Sequence, residues 1–147
     1  MPSRLSARSM VSVLWLLNSA IGARIAIREN LPGEFAGMTR WHDPSADFFR
    51  GGGTALSPGL PMMAAQAVFT VLSTRGRRAG KVGAAGLAVL GAGSTVGVLG
   101  EPITYKVLYP KTFDLAKAPI VSAAITLSAL MTIFGTSRLL TLRSGDA

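Results

Sequence analysis

The chain has 147 residues, room for one domain, with 49% hydrophobic content, only 15% charged residues and a formal charge of +8. It has no cysteine, which excludes disulfides, thiolate metal sites and thiol redox chemistry. No basic stripe with interleaved aromatics appears, so the positive charge argues for membrane topology and against nucleic acid as a partner.

Arg4 and Arg8 precede the apolar run Met10 to Ala23. A charged start, a short apolar stretch and Ala20-Ile21-Gly22 could be a cleavable signal peptide. The reading preferred here is a first membrane helix over about 9–27, with Arg24 sending its charge toward the headgroups. Asn18 shares a face with Val11, Trp15 and Gly22. It suits a hydrogen bond between packed helices better than a ligand contact, though both are open.

Residues 29–57 form the longest polar stretch, broken by Pro32, Gly33, Gly37, Pro44 and Gly51-Gly52-Gly53. They predict a covering loop with at most short helical turns. Asp43 reads as the N-cap of one such turn, with Pro44 at its first position. Phe35, Met38, Trp41, Phe48 and Phe49 make the loop apolar enough to lie at the bilayer surface or over the helix ends.

The second span is expected over about 56–74, with Pro58 and Pro61 at its start and Gln66 turned into the bundle to find a partner. Arg75, Arg77, Arg78 and Lys81 then put four positive charges into seven residues, which predicts a cytoplasmic turn. Val82–Gly100 is uncharged for 19 residues, about 28 Å as a helix and close to the bilayer's hydrocarbon thickness. Gly93, Gly97 and Glu101 lie along one side of it, a GxxxG face predicted to let a neighbouring helix approach closely. Pro102 should end that helix at Glu101 and start a short one in which Ile103 and Val107 share a side. A fourth span follows over about 120–140, with Pro119 in its first turn and hydroxyls able to bond back to their own helix. The expectation is an all-α, antiparallel four-helix membrane bundle in one domain, with a long extracytoplasmic loop and both termini cytoplasmic.

In that topology the chemistry-bearing groups gather on the outer side, including Arg24, Arg28, Glu34, Asp47 and Glu101. Burial beside glycines could raise the pKa of Glu101 toward neutrality and make it a general acid or base. His42 and Tyr105 are the candidate catalytic partners; Asn18, Arg24, Trp41 and Asp43 are candidate ligand contacts. The alternative for Glu101 is an ion pair with Arg24 or Arg28, or a carboxylate facing water. His42 is the only histidine, no metal-ligand spacing occurs, and no metal is expected. No G-x-S-x-G elbow supports a serine nucleophile. The few uncharged polar residues within the spans argue against an ion pathway.

In segment order and length the layout resembles small four-helix bacterial membrane proteins such as the DoxX-like ones. No motif matches residue by residue, so the resemblance implies nothing about function. Two functions fit. One is a membrane protein holding a lipid-like or apolar small molecule near the outer face, with acid–base chemistry at Glu101. The other is an accessory subunit or homo-oligomer packed through its small-residue faces. The sequence names no cofactor.

Overall fold

The computed structural model describes residues 6–39 and 42–144, apart from the side chains of Arg77, Arg143 and Ser144. The described residues are mostly helical. Their elements run α1 (Ala7–Arg28), β1 (Glu34–Phe35), β2 (Met38–Thr39), α2 (Pro44–Arg50), β3 (Gly53–Thr54), β4 (Ser57–Pro58), α3 (Leu60–Ser73), α4 (Arg77–Gly100), α5 (Pro102–Leu108) and α6 (Ala118–Ser144). Three of these, α1, α4 and α6, are long and apolar enough to cross a membrane, and they mark a membrane location. Their outward faces carry exposed Leu14, Leu17, Ile21, Val89, Val96, Ile133 and Leu140, side chains that bare water would penalise.

The second apolar segment is shorter than expected. Residues 56–59 are not helical: Ser57 and Pro58 pair with Thr54 and Gly53 in an antiparallel two-residue hairpin. Gly53 makes that hairpin possible, because its φ of +128° is a conformation L side chains rarely adopt. Helix α3 therefore starts only at Leu60 and has 14 residues, about 21 Å.

The helices α1, α3, α4 and α6 pack as a ring in which each touches two others. The most extensive contact is between α4 and α6. A Cβ on Gly91 would stand 2.7 Å from the Ser128 carbonyl oxygen, and one on Gly135 would stand 2.7 Å from the Ala88 amide nitrogen. Thr95 and Ser128 hydroxyls hydrogen-bond across this contact at 2.8 Å. On another side of α4, Gly83 and Gly86 receive α3, with the Phe69 ring over Gly86.

This corrects the expectation for Gly93 and Gly97, which have nothing within 4 Å of where a Cβ would stand. Gly86, Gly93 and Gly97 share one side of α4. That side packs on α3 at Gly83 and Gly86, then loses its neighbour where the shortened α3 begins. The face was legible in the sequence, but at Gly93 and Gly97 it borders a space instead of a helix.

Gln66 is fully buried in the ring. Its amide donates to the Ser12 hydroxyl, which also bonds Thr70, and to the Met131 sulfur at 2.9 Å. One side chain thus links α1, α3 and α6 where lipid offers no partner. At the Glu101 end, Ala26, Leu56, Val107 and Val121 form the apolar core that joins α1, α5, α6 and the β3–β4 hairpin. Lys117 ties the same end together, contacting Glu29 at 2.8 Å and Asp114 at 2.7 Å. Arg8 and Arg138 line a shallow groove between α1 and α6 at the opposite end.

Candidate functional site

Where α3 falls short, residues 31–39 and 42–58 fold over the gap and partly cover a cavity of about 370 Å³. Trp15 and Ser19 of α1, Met62 of α3, Gly93, Ser94, Gly97 and Val98 of α4, and Val121 and Ala124 of α6 form its walls. Phe35, Met38 and residues 52–58 form its cover, and Asp47 and Glu101 bring the only carboxylates among the described residues to its lining.

The two acids reach this position from unrelated segments. The loop helix α2 starts as the sequence predicts, with Asp43 accepting a hydrogen bond from the Ser45 amide and Pro44 in the first turn. One turn on, Asp47 is 3% exposed and its Oδ2 accepts from the Gly33 amide at 2.9 Å. Glu101 ends α4 in an extended conformation (φ −80°, ψ 124°) and precedes α5, as Pro102 requires. Its side chain caps neither helix. Both its oxygens instead accept from the Glu34 amide, at 3.1 and 3.0 Å. Two carboxylates therefore hold two consecutive backbone amides, while the Ala36 amide reaches the Gly100 carbonyl at 3.0 Å.

Burial pushes the Glu101 carboxyl up to about 7; the Glu34 amide opposes this, and the charges of Glu34 and Asp47 add to it. Among the described residues no basic side chain lines the cavity. The ion pair expected with Arg24 or Arg28 is not made: the described partner of Glu101 is the Glu34 main chain, and Arg24 is exposed.

Ser94 adds a second unusual group. It is 6% exposed, it lines the cavity, and its Oγ has no hydrogen-bond partner. Serine in a helix ordinarily bonds back to its own backbone, as Thr95 does to Gly91 at 2.9 Å.

Several expected site residues lie elsewhere. Tyr105 is exposed, and its hydroxyl donates to the Leu99 carbonyl at 2.8 Å, while Thr104 donates to that of Val98 at 2.5 Å. Both bond carbonyls in the last turn of α4, where that of Val98 also accepts the Glu101 amide at 3.3 Å. Asn18 donates to the Ile120 carbonyl at 3.1 Å, bridging α1 and α6. His42 is exposed at a left-handed turn (φ 55°). None of Tyr105, Asn18, His42, Arg24 or Asp43 lines the cavity; Trp41 lies outside the described residues. Among the described residues no three acids or histidines gather closely enough to hold a metal ion.

Sequence reasoning placed Asp47 among the outer acids but did not single it out, nor did it single out Ser94. Asp47 sits one helical turn after a readable N-cap, the only local signal for it. No protein-family model, curated protein or solved structure matches this chain.

Proposed function

We propose that this is a four-span membrane protein with both termini in the cytoplasm. In this reading its cavity holds an apolar or lipid-like molecule near the outer face, within reach of acid–base chemistry at Glu101. The observation that carries it is the cavity, whose volume of about 370 Å³ falls in the range of small-molecule sites, with apolar walls and few polar groups. A carboxyl with a pKa of about 7 is suited to give or take a proton at neutral pH. Asp47, and not His42 or Tyr105, is the ionisable side chain that shares the cavity with it.

Helix α3 is short for a span, but the β3–β4 hairpin lengthens its path, and irregular backbone is tolerated at depth where it lines a cavity. The basic residues of 75–81, at the start of α4, support a cytoplasmic position for the end away from Glu101. Native mass spectrometry of protein extracted in mild detergent tests the reading. The wild type should retain a lipid-like mass that Gly97→Leu, which fills the cavity, has lost. A wild type without small-molecule adducts but with a second polypeptide would favour the accessory-subunit alternative.

A further inference from the structure

We propose that the occupant is a cationic amphiphile, with a protonated amine seated between Asp47 and Glu101 and its hydrocarbon chain running along Gly93 and Gly97 toward Ser94. This rests on the reading that the cavity holds a ligand, and it specifies that ligand's chemistry.

Charge balance is the first reason. Each carboxylate is held by a main-chain amide alone, and among the described residues no cationic side chain pairs with either. A buried carboxylate without a countercharge is costly, and an entering cation supplies one; an anion is repelled, and a neutral alcohol offers only a hydrogen bond. The second reason is Ser94, whose buried Oγ lacks any partner. Buried hydroxyls are nearly always satisfied. Ser94 stands seven residues before Glu101, roughly 10 Å along the helix axis and on the same side of α4, and so marks how far the lined slot extends. The third is the slot itself, left open because neither glycine meets a neighbour within 4 Å.

Trp15, 2% exposed and on the cavity wall, serves as the reporter. The chain has two tryptophans, so Trp41→Phe leaves Trp15 as the sole emitter. In phosphatidylcholine nanodiscs, quenching is titrated with 10-bromodecylamine, 10-bromodecanol and 10-bromodecanoate. The amine should bind about tenfold tighter than the alcohol, the scale of one charge-assisted contact. Asp47→Asn and Glu101→Gln keep an acceptor for their amides, and each should cut that preference to about threefold or less. Equal binding of amine and alcohol, preference for the carboxylate, or an amine preference unchanged in both variants would overturn the cation assignment and leave the ligand reading intact. Absence of saturable quenching by all three probes would overturn both.

Discussion

Glu101→Gln should change how stability depends on pH, and the sign follows from the site. Burial raises the folded-state pKa of Glu101 from 4.5 to about 7. A carboxyl that holds its proton more tightly when folded contributes stability fully below the unfolded value. That contribution is lost as pH rises through about 7. At about 1.4 kcal/mol per tenfold change in proton affinity the full effect is about 3 kcal/mol. The side chain is only half-buried, and solvent screening reduces this to about 1.5 kcal/mol. Glutamine imitates the protonated acid, so the variant should match the wild type near pH 4.5 and exceed its stability by about 1.5 kcal/mol at pH 8. Unfolding of both proteins in the same detergent, followed at intervals from pH 4.5 to 8, gives the difference directly, with contributions from other groups largely cancelling. A difference that stays flat, or a variant that becomes the less stable protein at high pH, would refute the desolvation argument.

The glycines should divide by position. Gly91→Leu or Gly135→Leu forces α4 from α6 and should cost about 3 kcal/mol or more, whereas Gly97→Leu should stay within about 1 kcal/mol of wild type; thermal scans in detergent would separate them. Gln66→Ala should cost about 2 kcal/mol or more by leaving a void. Gln66→Leu should be nearly neutral, since Oε1 of Gln66 is already without a partner and Ser12 keeps Thr70; equal losses for the two variants would disprove this. A reporter fused after Lys81 should read as cytoplasmic, and an external signal would invert the proposed orientation.

Much of the helical frame was legible. Uncharged runs give α1, α4 and α6, Pro102 gives the break at Glu101, and Asp43-Pro44 gives the start of α2. The spacing of Gly93, Gly97 and Glu101 gives a shared face. What that face meets depends on where α3 begins, and hydropathy counts Leu56 to Gly59 as membrane helix. Their true conformation depends on pairing with Gly53 and Thr54, which no periodicity reports. The site was half-legible for the same reason. Glu101 stands out at the end of an apolar run, while Asp47 is one acid among several until Gly33 folds back onto it. Tyr105 and Asn18 have the right chemistry for a site, but nearby main-chain carbonyls claim their donors first.

The grip of two carboxylates on the amides of Gly33 and Glu34 has a consequence for how this protein can vary. Adjacent peptide units have a spacing fixed by covalent geometry, with successive Cα atoms about 3.8 Å apart, so the backbone acts as a ruler that sets the separation of the acids. The identity of side chain 34 is immaterial to that ruler, and Glu34→Ala should preserve it. Glu34→Pro, which lacks the N–H, would leave Asp47 anchored and set Glu101 adrift.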